Sequence, residues 1–156
     1  MAKTEDSDLF AYDTEAQPTD QRTLTVCHVN ESYDIYGGRH NHGRQMGEVN
    51  PPTKGWLGNP YRVSDYGREK CIELFEEAFI DQLRDNRVFC NAVAALPGTR
   101  VACHCRHQNE TEPACHLDVV REALLDGRVF RVAHSIHGIP LTEIEKSRMC
   151  DPEVFL

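Results

Sequence analysis

Thr99-Arg100-Val101-Ala102-Cys103-His104-Cys105, followed after nine residues by Cys115-His116-Leu117-Asp118-Val119-Val120-Arg121-Glu122-Ala123-Leu124-Leu125-Asp126, is the stretch whose reading decides the fold. The first segment is short and reads as a strand over 99–105. The second places Leu117, Val120, Ala123 and Leu124 at helical spacing, with Gly127 suited to stop the helix. A polar loop over 106–113 joins them. A strand followed by a helix is the unit of an α/β layer, and in such sheets ligands gather where strands end and helices begin.

That junction is also where the reactive side chains lie. On a strand, residues two apart face the same side, so Cys103 and Cys105 are expected to point together. Cys115 and His116 open the next helix, where backbone N–H groups and the helix dipole favour anions and lower a thiol pKa. Thiolate and imidazole are zinc ligands, and a thiolate is also a nucleophile. The cluster therefore offers a metal site on Cys103, Cys105, Cys115 and His116, a catalytic thiolate, or both. The spacing Cys-x-Cys-x₉-Cys-His differs from a standard zinc knuckle. Buried structural thiols are the third alternative.

Outward from this unit, residues 22–30 read as a strand covered on both faces. Residues 31–67 are broken by repeated Gly and Pro, which excludes one long element and leaves room for a short strand over 33–36. Ile72, Phe75, Phe79 and Leu83 mark an amphipathic helix that Ser64 or Asp65 can cap. A second helix is expected over 88–96, ending at Pro97-Gly98, and a further strand over 129–134. Helical turns near 142–148 complete the pattern. The expected fold is α/β, with a small, mainly parallel sheet flanked by helices in a Rossmann-like two- or three-layer arrangement. The organisation is a flexible acidic tail over 1–21, a domain over 22–139 and an extension over 140–156.

The 156 residues carry a net charge of -8, which disfavours broad binding to duplex nucleic acid while leaving a local basic site open. Of the 17 basic residues only four are Lys, and Arg is the side chain that forks phosphates and carboxylates. An acidic, Lys-poor surface also suits a host with high internal salt. No stretch approaches the roughly 20 apolar residues of a membrane helix. The N-terminus lacks a basic and apolar leader, so a cytoplasmic protein with reduced cysteines is expected. Cys27, Cys71, Cys90 and Cys150 have no partner nearby in sequence and read as packed thiols. His28 reads as a core histidine. His40 and His42 stand beside Arg39 and Arg44, as a phosphate or acid/base pair or as solvated loop residues. His134 and His137 flank the last expected strand.

Three pieces in order resemble one family, the domain of unknown function numbered 4326, found in bacteria, archaea and their viruses. Tyr33-Asp34-Ile35-Tyr36-Gly37-Gly38-Arg39 is similar to its Tyr-Asp-Val-Tyr-Ile-Gly-Arg. Gly58-Asn59-Pro60-Tyr61 with the Arg68-Glu69 helix is similar to its Gly-Asn-Pro-Phe and Arg-Glu helix. Cys103-His104-Cys105 and Cys115-His116-Leu117-Asp118-Val119 resemble its Cys-Trp-Cys and Cys-His-Gly-Asp-Val. Gly37, His104 and Leu117 depart from that pattern, and the 105–115 loop is extended.

Two functions fit these residues. One is an enzyme or binding domain for a nucleotide, nucleoside or other phosphorylated small molecule. Arg39 would pair with phosphate, Asn59 with a base or sugar edge, and Tyr36 would stack or donate a hydrogen bond. Asp34 would be a general base or sugar ligand, and Cys115 and His116 would supply a nucleophile, acid/base function or metal ligands. The bland alternative for Asp34, Arg39 and Asn59 is an internal salt bridge and a Gly-Asn-Pro turn. The other function is a zinc-stapled binding module without catalysis.

Overall fold

The computed structural model describes residues 21–40, 44–105 and 114–149. The expectations for residues 1–20 of the tail, for His42 and for Cys150 lie outside these residues. In chain order the elements are β1 (Thr25–His28), β2 (Ile35–Tyr36), α1 (Val63–Tyr66), α2 (Arg68–Asp85), α3 (Arg87–Ala94), β3 (Arg100–Cys103), α4 (Leu117–Leu125), α5 (Arg128–Ser135) and α6 (Glu143–Met149). The three strands form a parallel sheet in the order β1-β3-β2, with His28 beside Cys103 and Tyr36 beside Ala102. This is a small α/β fold.

Register divides the sheet into two faces. Val26, Val101, Cys103 and Ile35 share the face on which Leu117 of α4 packs, since Leu117 lies against both Val101 and the Gly37 position. Cys27 and Ala102 share the other, and both are fully buried. The link between β1 and β2 contributes there: Ser32 O lies 3.8 Å from Cys27 Sγ, and Glu31 pairs with Arg100 at 3.3 Å. A six-residue crossing suffices because β3, arriving later in the chain, fills the place between the two strands.

Aromatic rings of α2 and α3 organise the core. Phe75 and Phe79 stack at 5.7 Å, Phe79 meets Phe89 edge-on at 5.8 Å, and Trp56 meets Phe89 at 5.6 Å. Trp56, Leu57 and Met46 are buried, so the Gly/Pro-rich stretch is anchored to the core at three points. α2 keeps the expected apolar face, with Cys71, Phe75, Phe79 and Leu83 inward. Ser64 and Asp65 do not cap it. They lie within α1, and Gly67, at φ 84°, separates the two helices.

The strand expected over 129–134 is instead the helix α5. Its buried residues are Val129, Phe130, Val132 and Ala133, the i, i+1, i+3, i+4 set of a helical face, while Arg131 and His134 are less buried. The short run of β-branched residues imitates a strand, and helical spacing wins because the segment packs against α3 and α4. Gly127, in the left-handed region at φ 87°, ends α4 and starts α5 without a loop. No helix among the described residues is long and apolar enough to cross a membrane.

Candidate functional site

The site is built where β2 and β3 end and α4 begins. Cys103 closes β3, Cys105 lies two residues on, and Cys115 precedes α4. Their three sulfurs lie within 4.8 Å of one another, with Cys103 Sγ and Cys115 Sγ 3.2 Å apart. Backbone amides point at two of them: Cys105 N lies 3.4 Å from Cys103 Sγ, and Leu117 N lies 3.5 Å from Cys115 Sγ. Asp118 reaches back to accept from Cys115 N at 3.1 Å, which holds the turn into α4.

His116 is buried, with its ring 5.0 Å from that of Phe75. Its Nε2 lies 2.9 Å from the Gly37 carbonyl oxygen. A carbonyl only accepts, so Nε2 carries the proton and Nδ1 keeps its lone pair. Nδ1 lies 3.8 Å from Cys115 Sγ. An imidazole oriented by donating its far nitrogen to a carbonyl is the usual arrangement of a metal-bound histidine. Burial first, against the carbonyl contact, lowers the His116 pKa and keeps the ring neutral.

The donor set fits zinc in type: three thiols and one neutral imidazole. In place the fit holds for the three thiols; no His116 nitrogen belongs to the group of donor atoms within 4.8 Å of one another, and Nδ1 meets the cluster through Cys115 Sγ. A tetrahedral zinc with sulfurs at about 2.3 Å sets its sulfurs about 3.8 Å apart, so the Cys103–Cys115 pair at 3.2 Å would open slightly on binding.

Without metal, charge is divided unevenly. The hydrogen bond with Cys103, then that with Cys115, holds the Cys105 thiol far below its ordinary range, and Arg68 Nη1 at 3.9 Å adds to this. Cys115 moves far upward, through the same contact with Cys103, then Cys105, and through burial. Cys103 is raised mainly by its contact with Cys105. Of the two positions for a thiolate, Cys115 and Cys105, this favours Cys105. The helix start does supply an amide to its sulfur, but the burial of Cys115 and its thiol neighbours outweigh that, and the half-buried Cys105 takes the charge.

A cavity of about 300 Å³ opens beside the cluster, lined by Cys103, Cys105 and His116 on one side and by Tyr36, Arg39, Asn59, Tyr61 and Arg68 on the other. The structure therefore brings together seven of the eight residues singled out from the sequence, counting Cys115 through its contact with Cys103. Gly58 makes this possible. A Cβ there would lie 2.6 Å from Arg39 Cα, so only glycine lets the Asn59 turn seat against Arg39. Arg39 Nη1 then donates to Asn59 O at 2.8 Å and to Tyr61 O at 3.5 Å. Tyr36 Oη donates to Arg39 O at 2.9 Å. The Asn59 side chain is turned to structure, donating to Cys71 O at 3.3 Å and accepting from Tyr61 N at 3.0 Å.

Asp34 stands apart. It precedes β2 at the opposite end of the sheet, and its carboxylate accepts from Arg100 N at 2.8 Å. It anchors the start of β3 and has no access to the cluster, so the general-base reading is withdrawn. Arg68 is the residue that sequence reasoning missed. It is the first residue of α2, the end of a helix where the dipole disfavours a cation, and it donates to Ala114 O at 2.9 Å. Its place in an Arg-Glu pair at a helix start was the available signal.

The chain belongs to the family defined by a domain of unknown function (DUF4326), whose model matches residues 21–126. Comparison with curated proteins and with solved structures gives no match.

Gly37 and Leu117 are coupled in packing. A Cβ at residue 37 would lie 2.7 Å from Val101 Cγ1 and 2.9 Å from Leu117 Cδ1, so Val101 and Leu117 together fill the space that a side chain there would need. Gly37→Ile is expected to destabilise through overpacking, and Leu117→Gly by about 3 kcal/mol or more through the cavity and helix propensity. The double substitution should cost at least about 1 kcal/mol less than the sum, measured by urea unfolding. Strict additivity would refute the coupling.

Charge placement makes a second prediction. In metal-free protein at neutral pH, iodoacetamide should modify Cys105 well before Cys90, whose thiol burial pushes up to about 11. Peptide mapping of a time course reads the order, and modification of Cys90 first would show that the charge does not rest on Cys105.

Proposed function

We propose that the cavity beside the thiol cluster binds a nucleotide, nucleoside or other phosphorylated small molecule, as part of an enzyme or a binding domain. One observation carries this reading. Two guanidinium groups, Arg39 and Arg68, line the cavity, and among the described residues no carboxylate lines it, in a chain of net charge -8. Among the described residues neither arginine has an acidic partner, and Arg39 Nε and Nη2 meet no acceptor. Guanidinium donors left over beside a cavity suit phosphate oxygens, which accept in the same fork geometry. Tyr36, Tyr61 and Ile72 supply aromatic and apolar wall for the remainder of such a ligand.

The test is calorimetry against a panel of nucleoside mono- and diphosphates, pyrophosphate and unphosphorylated nucleosides. Phosphorylated members should bind and nucleosides should bind more weakly. Arg39→Ala and Arg68→Ala should each weaken binding about 10-fold or more, the cost of a charge-assisted hydrogen bond. Circular dichroism should show both variants folded. No binding by any phosphorylated compound, or binding indifferent to both substitutions, would overturn the reading.

A metal-stapled site is the second reading, and the fixed tautomer of His116 favours it. Zinc on Cys103, Cys105, Cys115 and His116 would join the end of β3 to the start of α4 and neutralise thiolate charge at the cavity wall. Protein purified without a His-tag or added metal should then carry about one zinc per chain. Chelation should lower Tm by on the order of 10 °C. Metal-free protein with an unchanged Tm would leave the cluster as bare thiols.

A further inference from the structure

We infer that the ligand is a nucleotide chain, two or more units long and single-stranded, lying along a furrow in which two cavities meet. This rests on the phosphate-binding reading above and extends it beyond the first cavity. A second cavity of about 410 Å³ adjoins the first and shares Tyr36, Arg39 and His104 with it. Tyr33, His40 and Lys54 line its far side, and among the described residues it too has no carboxylate in its wall. The order from one end to the other is therefore Arg68, Arg39, then Lys54 beside His40: three separated cations in a track whose described residues include no carboxylate.

Aromatic rings alternate with these cations. Tyr61 walls the first cavity, Tyr36 and His104 stand at the junction with centroids 5.9 Å apart and near-perpendicular planes, and Tyr33 is 41% exposed at the far side. Lys54 Nζ lies over one face of the Tyr36 ring, 5.3 Å from its centroid, so the cation and the ring adjoin in the furrow. Cations that track a phosphodiester backbone, interleaved with rings that accept base faces, are the requirements of single-strand binding. A mononucleotide would fill one cavity and leave the second set of groups unused. A duplex is disfavoured because the wider surface is acidic, as on the outer side of α2, where Glu73, Glu76, Glu77 and Asp81 line one depression.

The test uses the full chain as purified, with fluorescence anisotropy of a labelled ten-nucleotide oligothymidylate. Competitors are the unlabelled ten-mer, the dinucleotide, thymidine monophosphate and a duplex of equal length. The single strand should compete at least about 10-fold better than the mononucleotide, and the duplex should compete worse than the strand. Lys54→Ala and Tyr33→Ala, at exposed positions outside the first cavity, should weaken the strand about five-fold or more while leaving mononucleotide affinity unchanged. Lys54→Ala should also flatten the dependence of log K on log salt by about 0.7. A dinucleotide equal to the ten-mer supports the inference and fixes the length at two; a further gain at ten units supports it with a longer strand. Arg39-dependent mononucleotide binding that the strand does not exceed overturns the inference and leaves the single-cavity reading intact. Absence of binding by mononucleotide and strand alike overturns both.

Discussion

The hydrogen bond between His116 Nε2 and the Gly37 carbonyl ties the end of one strand to the beginning of a helix 79 positions away in the chain. Burial makes it consequential. An unpaired imidazole N–H at that depth would cost about 1–3 kcal/mol, so the ring is held in one tautomer and one orientation. From this follow the unprotonated Nδ1 facing Cys115 Sγ, the turn that sets Cys115 against Cys103, and the approach of Leu117 to Gly37. The cavity wall and the thiol cluster are two sides of the same junction.

Electrostatics at this junction runs against the protein as a whole. The chain is acidic, yet its cavity gathers guanidinium groups, and Arg68 occupies a helix end that local energetics would give to an acidic residue. A sequence departs from local preference most readily where another requirement overrides it. The same holds for the thiols, whose charge settles on Cys105 through its thiol neighbours and Arg68 rather than on the sulfur nearest the helix start.

Much of this was legible before the structure. The β3–α4 unit, the amphipathic α2 and the cluster of Cys103, Cys105, Cys115 and His116 are local patterns, and periodicity or spacing exposes them. Three matters were not legible, for separate physical reasons. Residues 129–134 form a helix because packing partners distant in sequence decide between periods in a short apolar run. Asp34 resembles a site residue by its motif, but strand register sends its carboxylate to the far end of β3. Gly37 and Leu117 are far apart in the chain, and only the structure shows that Leu117 and Val101 fill the space beside Gly37.

The strand order has a consequence for how the molecule comes into being. β1 and β2 are close in sequence but do not pair with each other; among the described residues each pairs with β3, whose last residue is Cys103. Both edge strands and three helices are therefore synthesised before any ladder can form. The nascent chain must hold its first strands open, partnerless, while α2 and α3 collapse around their phenylalanines, and sheet formation waits on a late, long-range closure that slows folding. The junction beside the cavity is thus completed late in synthesis, because it depends on β3 and on the helix after it.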